Sequence, residues 1–179
     1  MPRSAMGIDP GTARMGYAVV REDRSSLTLV TAGTLETSSD LPLERRLALL
    51  YDGLVQLCRI HEPTDVAIEE LFFNRNVRSA LSVGQARGVA LLVAAHQELD
   101  VFSYTPLQVK EAVTGYGRAR KEQIQEMVRV LLNLSTVLRP DDAADAAAIA
   151  ICHLNGANTR DALAAVLPAD TVASRRRAR

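Results

Sequence analysis

Tryptophan is absent from the 179 residues, and aromatics total seven: Tyr17, Tyr51, Tyr104, Tyr116, Phe72, Phe73 and Phe102. Cysteine is scarce too. Cys58 and Cys152 are too few for a disulfide framework or a cysteine-based zinc site. No apolar run approaches the ~18 residues of a membrane span, and the start Met1-Pro2-Arg3-Ser4 lacks the apolar segment of a signal peptide. A protein of the cytoplasm without a membrane partner is the expectation. Net charge is missing as well, because 21 Lys and Arg offset 21 Asp and Glu. Taken as a total, that zero argues against a nucleic-acid partner.

What is present changes that inference. Residues 1–70 carry seven basic and eleven acidic side chains, net −4, whereas residues 72–121 carry seven basic and three acidic, net +4. Residues 122–179 balance at seven each, with Arg175, Arg176, Arg177 and Arg179 crowded at the end. Charge is therefore segregated along the chain rather than absent. With 47% hydrophobic and 23% charged residues, the composition is that of one globular domain. Residues 1–156 are expected to form it, with 157–179 as a weakly structured basic tail.

Residues 5–9, 16–21 and 27–35 read as three short strands joined by tight connections, an antiparallel meander. Leu43, Leu47, Leu50, Leu54 and Leu57 step by four and three, one face of a helix that ends near Pro63. Asp65–Glu69 reads as a buried strand, Val77 to Glu98 as a long helix, and Val101–Tyr104 as a strand. Helices near 119–133 and 141–154 complete an α/β sheet with helices on both faces.

Four carboxylates occupy telling positions in that order. Asp9 and Glu69 end strands, where sites of open α/β sheets form if the strands are parallel neighbours. Asp142 and Asp145 lie three apart at a helix start and share one face. Such a cluster repels itself without counter-charge, and hard divalent cations supply it; Mg²⁺, with Mn²⁺ as an alternative, suits oxygen ligands. Two such ions can activate water against a phosphodiester. Each residue also has a plainer role: Asp before Pro-Gly forms turns, acids favour helix N-termini, and Glu69-Glu70 can end a strand in solvent.

Gly7-Ile-Asp-Pro-Gly-Thr12 with Gly16-Tyr17, then Ala67-Ile-Glu69, Gly84-Gln-Ala-Arg-Gly88-Val-Ala, and Asp142-Ala-Ala-Asp145-Ala-Ala-Ala-Ile-Ala150 resemble, in order, the RuvC family of Holliday-junction resolvases. The resemblance implies a ribonuclease-H-like fold with a mixed five-stranded sheet. It implies that Asp9, Glu69, Asp142 and Asp145 bind two metal ions and catalyse cleavage. It selects Asp142 over Asp141, leaving Asp141 as a helix-capping residue. It further implies paired nicking of same-polarity strands of a four-way junction, with 5′-phosphate ends, in recombination and repair. The implied partners are a second copy of the chain and the RuvA–RuvB branch-migration complex.

Phe72 and Phe73 adjoin Asn74, Arg75, Asn76 and Arg78, a poor pattern for a core. An aromatic stacked on an unpaired base contributes about 1–3 kcal/mol. The resemblance points to Phe72, and Phe73 is the second candidate. Asn74, Arg75, Asn76 and Arg78 offer donors to phosphates and base edges. Lys110 and Lys121, the two lysines among 19 arginines, match basic positions of the family, and Arg118 and Arg120 lie nearby. Gly84 and Gly88 within one helix, each costing about 1 kcal/mol there, signal close approach by a neighbouring element or by the helix of a second subunit. An actin-like ATP-binding phosphotransferase shares the first motif but needs two such subdomains. A non-catalytic relative has no need of all four carboxylates.

Overall fold

The computed structural model describes residues 3–24, 26–70 and 77–166, and for 77–79 and 158–166 only the course of the backbone. β1 (Arg3–Asp9), β2 (Arg14–Asp23) and β3 (Ser26–Glu36) form the antiparallel meander. β4 (Asp65–Glu69) lies parallel to β1, and β5 (Asp100–Tyr104) parallel to β4, so the mixed sheet has the order β3-β2-β1-β4-β5. α1 (Leu43–His61) leads into β4, and α2 (Val77–His96) is the crossover that parallel β4 and β5 require. α3 (Pro106–Thr114), α4 (Lys121–Leu131) and α5 (Asp141–Val166) follow. The α/β architecture with helices on both faces matches the ribonuclease-H-like expectation.

Strand periodicity sorts the core into two layers. Met6 and Ile8 of β1 and Val66 and Ile68 of β4 pack with Leu50, Leu54 and Leu57 of α1 and Ala86, Ala90 and Val93 of α2. Ala5 and Ala67, one residue out of phase, pack on the other face with α3, α4 and α5. α1 closes where Glu62 takes a left-handed conformation, φ 45°, just before Pro63. α5 runs on to Val166, past residue 156, where the sequence suggests a tail beginning.

The α5 face of the sheet is built from small residues. Ala143, Ala144, Ala146, Ala147, Ala148 and Ala150 are all buried. A Cβ placed on Gly7 would lie 2.0 Å from the carbonyl oxygen of Ala146, and one on Gly16 would lie 2.1 Å from that of Asp142. Backbone therefore rests on backbone, and the helix sits closer to β1 and β2 than any side chain at these two positions permits. Gly88, read from the sequence as a point of close approach, behaves differently: among the described residues nothing lies within 4 Å of a Cβ built there.

Candidate active site

Asp9 is the last residue of β1 and Glu69 the last of β4, and the parallel register pairing Ile8 with Ile68 sets them side by side. Alternation puts both on the α5 face: Asp9 shares parity with Ala5 and Gly7, Glu69 with Ala67. Asp142 and Asp145 stand in the first turns of α5, which the contact at Gly16 holds down over β2. Four carboxylates from three elements thus meet at the carboxyl ends of β1 and β4.

Their proximity appears in their proton affinities. Burial, then Glu69, Asp145 and Asp142, push Asp9 up from 3.8 to about 7. Burial followed by the charge of Asp145 raises Glu69. Asp145 is also raised, by burial first, although Lys121 pulls it the other way. The Nζ of Lys121 lies 3.0 Å from Asp145 and 3.4 Å from Asp141. Burial works to lower Lys121, but its hydrogen bond to Asp145 and the two nearby acids outweigh that and raise it.

An open cleft of about 260 Å³ runs between the sheet end and α3, α4 and α5, lined by Asp9, Glu69, Lys110, Lys121 and Asp145 over an apolar wall that includes Val109, Ile124 and Ile149. Among the described residues no three His, Cys, Asp or Glu side chains close on one point as a metal cage. Asp9, Glu69 and Asp145 line the cleft instead, with the Lys121 ammonium against Asp145. An all-oxygen donor set with unbalanced negative charge, open on one side, fits Mg²⁺-type ions. Such ions take a few carboxylates and leave positions for water and substrate phosphate.

The remaining residues singled out in the sequence fall into three groups. Lys110 and Lys121 share the cleft with the acids. Arg118 and Arg120 are exposed in the segment before α4, outside the cleft lining; Arg120 is the N-cap of α4, its backbone N–H donating to Gln123 Oε1 at 2.8 Å. Phe72, Phe73, Asn74, Arg75 and Asn76 lie outside the described residues, and Arg78 is described only as part of the backbone of α2.

Asp141, expected as a helix-capping residue, stands in the first turn of α5. It is the first residue of α5, and its carboxylate pairs with Arg139 and Lys121, which together hold it below the usual range despite desolvation. Arg14 was missed by sequence reading. At the start of β2 it reaches Glu36 through Nε at 3.0 Å and Asp142 through Nη1 at 3.6 Å, a second cation at the acid cluster. Its one sequence signal is a basic residue five positions after Asp9, which means nothing until the β1–β2 hairpin is folded beneath α5.

Comparison with known proteins places the chain in a family. Residues 5–153 match the family described as crossover junction endodeoxyribonuclease RuvC. The RuvC protein of Rubrobacter xylanophilus is 58% identical over 148 residues, covering 83% of each chain. That of Desulforamulus reducens is 52% identical over 154 residues, covering 86% of this chain and 94% of its own. The chain belongs to the RuvC family. It is an endodeoxyribonuclease of crossover junctions, of a metal-dependent class. Among solved structures, Thermus thermophilus RuvC in complex with a Holliday junction substrate superposes with a TM-score of 0.84 at 35% identity, covering 88% of this chain and 96% of that one. The matched span includes Asp9, Glu69, Asp142 and Asp145. Among the described residues no helix is long and apolar enough to cross a membrane.

Proposed function

We propose that this RuvC chain acts as a homodimer that resolves Holliday junctions, nicking two strands of the same polarity with Asp9, Glu69, Asp142 and Asp145 as ligands for two Mg²⁺ or Mn²⁺ ions. The observation that carries the reading is an open cleft lined by Asp9, Glu69 and Asp145 with Lys110 and Lys121, where burial and the charges of Glu69, Asp145 and nearby Asp142 push Asp9 to about 7. The bound ions would supply the activated water and the charge neutralisation that phosphodiester hydrolysis needs. The chain's own residues do the rest. Asp9 and Glu69, fixed by strand register, present oxygens at the sheet end, and Asp142 and Asp145 face them from α5. Lys121 offsets negative charge beside Asp145, and as a positioned donor it is suited to the charge that develops on the phosphate. Arg14 balances Asp142 from β2.

The dimer reading rests on α2. Leu81 is 62% and Leu92 49% exposed, and they share one face of the helix with Gly88, where among the described residues nothing lies within 4 Å of a Cβ. A two-fold pair suits a substrate with two related strands to cut. Phe72 or Phe73, with Asn74, Arg75, Asn76 and Arg78, would meet unpaired bases and phosphates, joined by Arg118 and Arg120. Action in the cytoplasm beside a RuvA–RuvB motor belongs to the same reading. Synthetic four-way junctions and linear duplexes of equal sequence, incubated with Mg²⁺, Mn²⁺ or chelator, test it. Paired cuts with 5′-phosphate ends on the junction alone, and only with metal, are expected; equal cutting of the duplex, or cutting in chelator, would overturn it.

A further inference from the structure

The face of the sheet beneath α5 carries a second polar cluster, which reaches from the end of β5 beside Glu69 to the start of β4. His153 of α5 is 1% exposed; its Nδ1 is hydrogen-bonded to the hydroxyl of Tyr104 at 2.8 Å, and its Nε2 lies 3.2 Å from Asp65 Oδ2. Arg3 Nε lies 3.3 Å from the same carboxylate oxygen, and the Phe102 ring sits 4.5 Å from the imidazole, centroid to centroid. Every element that bears a site carboxylate therefore contributes one member: Arg3 on β1 with Asp9, Asp65 on β4 with Glu69, His153 on α5 with Asp142 and Asp145. Tyr104 belongs to β5 but pairs in register with Glu69, and its carbonyl accepts from the Glu70 N–H at 2.8 Å.

The spacing of the two clusters is matched. Asp65 and Glu69 are four strand residues apart, about 13 Å, and Asp145 and His153 are eight helical residues apart, about 12 Å. Between them α5 meets the sheet through Ala5, Gly7 and Ala67 against Ala146 and Ala150, with backbone touching backbone at Gly7. A surface of methyl groups and bare backbone holds a helix close, and even with Ile149, Ile151 and Leu154 packed beside it, apolar contact alone does not single out one register. A buried polar contact does, because a shift of one residue would leave the imidazole, the carboxylate and the phenol buried without partners, at about 1–3 kcal/mol each. Fixing register is the best-attested role of buried polar groups.

We infer that His153, held by Tyr104 and Asp65, is a positioning residue that fixes the register of α5 on the sheet and so sets Asp142 and Asp145 against Asp9 and Glu69. The inference rests on the carboxylate assignment proposed above. Tyr104, Asp65 and His153 do not line the cleft, so loss of the polar chain should be felt in metal binding and turnover rather than in junction affinity.

The test uses the full chain in three variants. Tyr104→Phe removes one oxygen from an otherwise unchanged side chain, His153→Phe removes the imidazole, and Leu132→Ala serves as a core control in the same apolar cluster outside the chain. Unfolding midpoint, Mn²⁺ affinity of the protein alone, kcat and KM on a four-way junction are measured for each. With ångström-scale misplacement costing up to about 100-fold, kcat is expected to fall roughly threefold or more in Tyr104→Phe and tenfold or more in His153→Phe. Mn²⁺ affinity should weaken in parallel and KM hold, while Leu132→Ala loses stability but keeps kcat and Mn²⁺ affinity. A Tyr104→Phe protein that binds Mn²⁺ and turns over like wild type, whatever its unfolding midpoint, would overturn the inference even if His153→Phe does not fold. Asp9→Asn run alongside separates the two levels: full cleavage by that variant removes the carboxylate assignment itself, whereas its inactivity beside an unaffected Tyr104→Phe removes only the role of His153.

Discussion

Burial and three like charges act on Asp9 together, and the sign of the result can be measured. Its pKa of about 7 in the folded protein exceeds the 3.8 of an ordinary aspartate, so the folded state holds the proton more tightly than the unfolded one. The corresponding stability is complete below about pH 4 and is lost as pH rises through 7; at ~1.4 kcal/mol per unit, the loss reaches up to about 4 kcal/mol. Without metal, Asp9→Asn is therefore expected to be more stable than wild type at pH 8 by a few kcal/mol, with the gap closing near pH 4. Urea unfolding in chelator at the two pH values checks this. Wild type should also gain more from added Mn²⁺ than the variant does. Lys121 acts in the opposite sense, since its charge lies 3.0 Å from Asp145. Lys121→Met is expected to cut junction cleavage about 100-fold or more, by analogy with loss of one positioned donor to a developing charge, with junction binding changed far less. Single-turnover cleavage alongside a binding titration separates the two effects.

At the scale of elements, the site depends on how close α5 lies to β1 and β2. A methyl group on Gly16 would stand 2.1 Å from the Asp142 carbonyl, so Gly16→Ala must lift the start of α5. Overpacking of this kind costs about 1–3 kcal/mol, and the damage falls on the two aspartates of the first turns. Gly16→Ala is expected to lose cleavage well beyond what a core substitution of equal stability loss would cause, measured by thermal unfolding together with turnover. The elements themselves were legible in the sequence because their apolar periods are clean: the leucine steps of α1, and the short apolar runs of β1 and β4, each ended by an acid. Asp9 and Glu69 were legible for the same reason, as strand-terminal acids. Asp142 could be told from Asp141 only through the family spacing. Arg14 and the His153 chain were not legible, because their meaning lies in partners far along the chain: 128 positions separate Arg14 from Asp142, and 88 separate His153 from Asp65. The glycine signals were read at α2, whereas among the described contacts the tightest backbone approaches occur at Gly7, Gly11 and Gly16.

For the whole molecule, the neutral net charge is a sum of separated parts: an acidic cleft at the end of the sheet, and cations at Arg14, Lys110 and Lys121 around it. Segments separated by charge along the chain meet in space once β1, β4 and α5 are brought together, and their cations face the acids across one cleft. The α2 face with exposed Leu81 and Leu92 belongs to this scale as well. Leu81→Glu is expected to weaken dimerisation at least tenfold by placing a charge in an apolar contact, and to turn paired cuts into single nicks. Sedimentation velocity, with nicked-intermediate counting on a supercoiled cruciform, reads both. The central claim is that carboxylates from three elements form one nuclease site on junction DNA, and cleavage and binding of a synthetic four-way junction by Asp9→Asn beside wild type, in Mg²⁺ and in Mn²⁺, tests it most directly. The variant is expected to bind the junction like wild type and leave it uncut with either metal; cleavage at the wild-type rate would contradict the site.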